Sequence, residues 1–335
     1  DVLKAGGSAV DAAVAVQAVL GLVEPQSSTV AGSAFMMYYD ASTRRVIAYD
    51  GRETAPAAAT GYYLVRQDQA DAGSPAPVPS ARRSGRSIGV PGVMRMLEMA
   101  HKEHGRLEWN GLFDEGIALA THGFLIPARM GAAIAGSRDS LALDAEAVAA
   151  FFKEDGVTPK AAGETTTNAP YAATLQALAA QGADALHTGP IAEGIIAKVA
   201  QSVGDDAART PITPGLMTLR DLADYQPKKR EPACVTYRAM YYLCSMAPPS
   251  SGGIAIAQAL GILESFPLAT YPPANPANEG GVPSLMGVHL VSEAERLAYA
   301  DRDKFVADSD FVPLPGSGLA TMLDRNYLRA RAALI

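Results

Sequence analysis

Two short apolar runs joined by four mostly polar residues constrain this chain more than any other stretch: Ala34-Phe35-Met36-Met37-Tyr38-Tyr39-Asp40 and Arg45-Val46-Ile47-Ala48-Tyr49. Their aromatic and β-branched content predicts strands, and Ala41-Ser42-Thr43-Arg44 between them reads as a hairpin turn. The local sheet is therefore antiparallel, and its near-continuous apolar character predicts cover on both faces. Directly after comes Ala48-Tyr49-Asp50-Gly51-Arg52-Glu53-Thr54-Ala55-Pro56, which places one arginine, flanked by acids, at the end of a buried strand. A rigid element can aim such a side chain. A guanidinium there can fork onto a ligand carboxylate with two parallel hydrogen bonds. It can equally pair with Asp50 or Glu53 in a surface turn. Local sequence by itself favours the pairing, because most arginine–acid neighbours are structural and worth little.

The chain has 335 residues, 48% hydrophobic and 19% charged, enough for one large domain or two smaller ones. A net charge of −7 and the lack of a long basic run argue against nucleic acid as a partner. No apolar run reaches the roughly 18 residues of a transmembrane helix, so no membrane span is expected in this chain. It begins at Asp1 and stops on Ile335. Both ends look like cuts in a longer polypeptide, with a removed signal peptide or a further chain to be expected.

Ser8 and Asp11 form a capping-box pattern for a helix running to about Leu22, apolar on nearly all sides and so expected to be buried. Glu24-Pro25 ends it. Gly6-Gly7 lacks both the following Gly-Lys-Ser/Thr and the preceding strand of a phosphate loop. Residues 61–86 read as loop, with Arg82, Arg83 and Arg86 on a solvated face. Gly89-Val90-Pro91-Gly92 is a tight passage into a helix from Val93 to about His104, and a second helix is expected from Trp109 to Thr121. His101 and His104 lack the intervening Glu of a zinc-protease helix and read as helix C-terminal residues. No metal site is expected.

From Ala128 to Thr218 the pattern is Ala-rich and helical, an outer layer with no identifiable chemistry. Cys234-Val235-Thr236-Tyr237 and Tyr241 to Met246 form a hairpin. With the bend centred on Ala239, Cys234 and Cys244 face each other. A disulfide is then sterically possible, and two packed thiols are the expected state. Ala247-Pro248-Pro249-Ser250-Ser251-Gly252-Gly253 opens a helix, Ile254 to Ser265. Its backbone N–H groups could hold an anion or an oxyanion, although an ordinary N-cap serine with a close-packed glycine is the more common arrangement. The setting is not a nucleophile elbow. Pro272 to Val282 reads as loop, Leu285 to Asp303 as a helix with a Glu293–Arg296 pair, and Asp324 to Leu334 as the last helix.

Three passages together resemble one family: Ala5-Gly6-Gly7-Ser8-Ala9-Val10-Asp11-Ala12-Ala13, Asp50-Gly51-Arg52-Glu53-Thr54-Ala55-Pro56 and Pro248-Pro249-Ser250-Ser251-Gly252-Gly253. With Gly89-Val90-Pro91-Gly92, Ala300-Asp301-Arg302 and Asp310-Phe311-Val312-Pro313, they look like the large subunit of gamma-glutamyltranspeptidases, in the right order along nearly the whole chain. The resemblance implies an α+β fold of the N-terminal nucleophile hydrolase type. That fold is a four-layer αββα sandwich, with residues 1–335 as a single domain completed by a small subunit. It implies a precursor that cleaves itself and a nucleophilic threonine at the new N-terminus of the small subunit, with its own amine as base. No catalytic residue is then expected in this chain. Arg52 maps onto the arginine that binds the substrate α-carboxylate, while Ser250 to Gly253 becomes structural.

The implied reaction is transfer or hydrolysis of the γ-glutamyl group of glutathione, glutamine or a related compound, without a cofactor. The implied location is periplasmic or secreted. Within the same family, an acylase acting on a glutaryl β-lactam side chain is the alternative; outside it, a non-catalytic binding subunit. One departure stands out. The family usually carries a run of glycines ahead of Phe-Met, where this chain has Gly32-Ser33-Ala34. The added side chains bear on packing near the site and hence on substrate preference.

Overall fold

In the computed structural model, which describes residues 1–278 and 280–335, the elements follow in the order α1 (Ala9–Val23), β1 (Ala34–Asp40), β2 (Arg45–Gly51), α2 (Val93–His104), α3 (Asp114–His122), β3 (Phe124–Leu125), α4 (Ala128–Gly136), α5 (Arg138–Leu141), α6 (Ala145–Phe151), β4 (Thr165–Thr166), α7 (Ala169–Gln181), α8 (Gly189–Val199) and α9 (Leu219–Asp224). Then come β5 (Lys228–Arg230), β6 (Ala233–Tyr237), β7 (Tyr241–Ser245), α10 (Gly252–Leu263), α11 (Leu285–Phe305), α12 (Leu319–Met322) and α13 (Arg325–Ala332). Two compact units result: residues 1–34 with 51–228, and residues 35–50 with 229–335. No helix among the described residues is long and apolar enough to cross a membrane.

The first unit is mainly helical. The capping box at α1 forms as expected: Ser8 Oγ accepts from the Asp11 amide at 3.1 Å and Asp11 accepts from the Ser8 amide at 2.7 Å. Asp11 does more than cap. Fully buried, it also accepts from the amides of Arg106 and Leu107, at 3.0 and 3.3 Å, so it ties the start of α1 to the chain after α2. The expectation of a helix buried on all sides is corrected. Val10, Val14, Ala18 and Leu22 form one buried stripe at four-residue spacing, and Val16 is exposed. Apolar composition does not oblige every face to be covered.

The segment expected as a helix from Trp109 starts as a 3-10 turn, Trp109–Phe113, before α3 takes over. Arg86 is a further correction. It does not lie on a solvated face but is buried against the Tyr63 ring, 4.5 Å from its centroid, with Nη2 donating to the Gln67 carbonyl at 2.7 Å. The preceding loop folds back over it, and carbonyls and a ring face replace its water.

In the second unit, β1, β2 and β5 form a three-stranded sheet in that order, so β2 is central. Within this chain the expected cover is seen at the end of β2. Ala48 and Tyr49 are fully buried there, whereas Met37 and Tyr39 on the edge strand β1 are exposed. Strands β6 and β7 pair antiparallel with Cys234 opposite Cys244. The two sulfurs are bonded, which corrects the expectation of free thiols. A directly opposite pair brings the Cα atoms to 4.1 Å, close enough for the bond to form.

Helices α10, α11 and α13 pack through Ala259, Ile262, Leu263, Leu290, Ala294, Ala298, Leu328 and Ala332. Ser250 Oγ accepts from the Gly252 amide at 3.4 Å, and Gly253 lies so close to the Met246 carbonyl that a Cβ would sit 2.1 Å from it. The glycine packs closely as expected, but Ser251 at the start of α10 makes no capping hydrogen bond and its hydroxyl instead accepts from Arg302 Nε at 3.1 Å. The loop expected over 272–282 includes Glu279, which lies outside the described residues; around it Ala274 and Val282 form an isolated bridge.

Candidate functional site

Arg52 follows the last residue of β2, and the backbone around it is held from several sides. Val90 donates its amide to the Thr54 carbonyl at 2.9 Å, an antiparallel bridge just beyond Arg52. The Gly92 and Val93 amides donate to the Gly32 carbonyl at 2.9 and 3.1 Å, which brings the Gly32-Ser33 loop beside the start of α2. Gly51 and Gly92 lie in mutual contact. A Cβ on Gly92 would come within 2.2 Å of the Gly51 carbonyl oxygen, and one on Gly51 within 2.5 Å of Met96 Cβ. Glycine at both positions is what lets α2 sit this close to the strand exit.

The Tyr225 hydroxyl donates to the Arg52 carbonyl at 2.8 Å. The Tyr225 ring stacks on the His187 imidazole, with centroids 5.8 Å apart and an interplanar angle of 19°. Nδ1 of His187 lies 2.9 Å from the Leu222 carbonyl, an acceptor only, so this nitrogen carries the proton. Burial pushes the His187 pKa down to about 4, against which the Leu222 hydrogen bond is the weaker influence. Arg95 donates to the carbonyls of Tyr225 and Ala223 and pairs with Asp184 at 2.8 Å, closing the C-terminal end of α9. Further along, the Ala57 amide donates to Asp221 at 2.9 Å. Burial raises the Asp221 pKa, but the hydrogen bonds from Ala57 and Thr218 outweigh it and the net shift is downward.

The two acids flanking Arg52 have separate fates. Asp50 is buried and accepts from Arg230 Nε at 2.6 Å, while the same guanidinium forks onto Asp310 at 2.9 and 2.7 Å. Asp310 and then Asp50 hold the Arg230 charge in place, raising its pKa further. Glu53 lies 3.3 Å from Arg52 Nε, with the arginine side chain 52% exposed. The pairing expected from local sequence is thus realised with Glu53. A half-exposed pair of this kind contributes about 0–1 kcal/mol.

A gamma-glutamyltranspeptidase family profile matches residues 1–335. The chain belongs to this family. It is 33% identical over 335 residues to the glutathione hydrolase proenzyme of Bacillus subtilis strain 168, covering 100% of this chain and 52% of that protein. It is 34% identical over 319 residues to the Escherichia coli K12 glutathione hydrolase proenzyme, covering 95% of this chain and 50% of that one. The chain therefore spans about half the length of these relatives. The solved gamma-glutamyltranspeptidase of Helicobacter pylori superposes with a TM-score of 0.84 at 29% identity, covering 100% of this chain and 87% of that one. The α+β fold expected of the family is thus the fold of this chain.

The sequence placed Arg52 and marked Gly89 to Gly92 as a tight passage. It gave no sign of Tyr225, His187 or Arg95. His187 falls in the helical region read as carrying no chemistry and Tyr225 just beyond it, while Arg95 lies on the helix Val93–His104; Tyr225 reaches the Arg52 backbone only through the tertiary fold.

Proposed function

We propose that this chain is the large part of a self-processed enzyme that moves the γ-glutamyl group of glutathione, glutamine or a related amide to water or an amine. Arg52 binds the substrate α-carboxylate. The nucleophile is the N-terminal threonine of a small chain derived from the same precursor. Its hydroxyl attacks the γ-carbonyl carbon as its own amine takes the proton, and the leaving amine departs with a proton. Water or an acceptor amine then attacks the γ-glutamyl ester and frees the threonine.

The family match over the whole chain, with Arg52 inside the matched Arg-Glu-Thr-Ala-Pro passage, carries this reading. The geometry agrees with it. Arg52 projects from a backbone fixed by a bridge and a side-chain hydrogen bond, and its neighbour Glu53 is a weak partner that a ligand carboxylate can displace. A small-chain partner is supported by relatives named proenzymes that are about twice as long as this chain. A periplasmic or secreted location is supported by the Cys234–Cys244 bridge, since structural disulfides persist in oxidising compartments.

Intact-mass spectrometry of the full-length protein, before and after a γ-glutamyl anilide is added, tests the reading. Two chains are expected, the smaller beginning with threonine and gaining one γ-glutamyl group. A single uncleaved chain with no acylation would overturn it.

A further inference from the structure

We infer that Tyr225 is a positioning residue for substrate recognition, acting through the backbone of Arg52; this rests on the assignment of Arg52 to the substrate carboxylate. Gly51 immediately precedes Arg52, and glycine restrains the chain least of all residues. A contact from outside the local sequence is therefore one way to fix its aim. The Tyr225 hydroxyl supplies it, donating to the Arg52 carbonyl at 2.8 Å and so fixing the peptide plane from which the side chain departs.

Tyr225 is itself held from three directions. Its carbonyl accepts from Arg95, its ring stacks on buried His187, and its hydroxyl passes Gly92 where a Cβ would come within 2.2 Å. His187 is 1% exposed and reads the Leu222 carbonyl through Nδ1, which sets the orientation of the ring beneath Tyr225. The hydroxyl has been brought to a polar target by a buried stack, with a glycine clearing its path. A buried tyrosine hydroxyl needs an acceptor in any case; that the acceptor here is the Arg52 carbonyl is what couples this stack to the arginine's backbone.

The test uses the full-length, self-processed protein with two probes. One is γ-glutamyl p-nitroanilide; the other is 4-aminobutanoyl p-nitroanilide, which keeps the amine and lacks the carboxylate. Tyr225→Phe removes one hydrogen bond and keeps the stack, so KM for the first probe is expected to rise about 3- to 10-fold with kcat nearly unchanged. KM for the second probe should not move. In an Arg52→Ala background, Tyr225→Phe should add nothing, because the two act as one unit.

Three results overturn the inference: an equal KM rise for both probes, a rise that survives in the Arg52→Ala background, or no rise in Tyr225→Phe while Arg52→Ala raises KM. The last leaves the Arg52 assignment standing. Unchanged KM in Arg52→Ala overturns that assignment and this inference with it. Should Tyr225→Phe fail to mature, 3,5-difluorotyrosine at 225, a stronger donor of nearly the same shape when assayed below the lowered pKa of its phenol so that the hydroxyl keeps its proton, is expected to lower KM for the first probe only. An unchanged or raised value then overturns the inference.

Discussion

Removing the Cys234–Cys244 bridge should loosen one hairpin by an amount that can be worked out beforehand. The bonded residues are 10 apart in sequence, and closing a loop of that size in the unfolded chain is worth about 2.8 kcal/mol at 25 °C. The turn it closes is a poor one. Arg238 and Ala239 hold φ values of 51° and 53°, a left-handed region that costs a residue with a Cβ roughly 1–2 kcal/mol. Strand β7 returns little by burial, with Tyr241 and Tyr242 54% and 69% exposed, and a two-stranded ribbon is marginal on its own.

Arg238 offsets part of the turn's cost by donating to the carbonyls of Leu263 and Phe266 at the end of α10. The bridge offsets the rest. In a Cys234→Ala/Cys244→Ala variant, amide hydrogen exchange in peptides covering 233–245 should therefore speed up roughly 100-fold. Exchange in α1 should stay unchanged. Exchange across the hairpin at the wild-type rate would refute the reasoning, by showing that strand pairing and the Arg238 contacts suffice alone.

Three further outcomes follow from the site. His187 titrates near 6.5 when unfolded and near 4 when folded, because burial outweighs its hydrogen bond and the attraction of Asp184. The unfolded state then binds the extra proton between those pH values, so about 3 kcal/mol of stability, fully present above pH 6.5, is lost as pH falls towards 4. His187→Asn, whose amide can still donate to Leu222, should flatten that decline in urea midpoints measured from pH 7 to 4.5; an unaltered slope would show that another group is responsible. Gly92→Ala places a methyl 2.2 Å from both the Gly51 carbonyl and the Tyr225 hydroxyl, at a cost of about 1–3 kcal/mol. A lowered thermal midpoint with a raised KM for the γ-glutamyl anilide is expected, and a variant matching wild type in both would contradict the packing described. Arg52→Lys keeps the charge and loses the fork, so KM should rise with kcat largely kept; wild-type kinetics in this variant would argue against a bidentate contact.

Elements coded by neighbouring residues were readable in advance. The Ser8–Asp11 capping box, the hairpin around residues 41–44 and helix Val93–His104 each depend on spacing within a few positions, and each formed as expected. Properties set by distant chain were not. That β2 becomes the central strand depends on β5, nearly 190 residues after β1, and not on the hairpin itself. Arg86 is buried because residues 63–67 fold back to meet it.

The same division runs through the site. Arg52 was singled out by the resemblance of its Arg-Glu-Thr-Ala-Pro passage, because the local sequence favours only a pairing with its acidic neighbours. Tyr225 lies 173 residues away, and no local pattern links the two. The cysteines show the limit from the other side. Their register could be read from the bend, but whether facing sulfurs bond is not written in spacing.

The most direct test of carboxylate recognition by Arg52 is the ratio of kcat/KM for γ-glutamyl p-nitroanilide to that for 4-aminobutanoyl p-nitroanilide, in wild type and in Arg52→Ala. A hydrogen-bonded contact to a charged group contributes about 1.5–3 kcal/mol, so the ratio should fall roughly 10- to 150-fold in the variant, almost entirely through the first substrate. A ratio that stays at its wild-type value would mean that the carboxylate is held elsewhere.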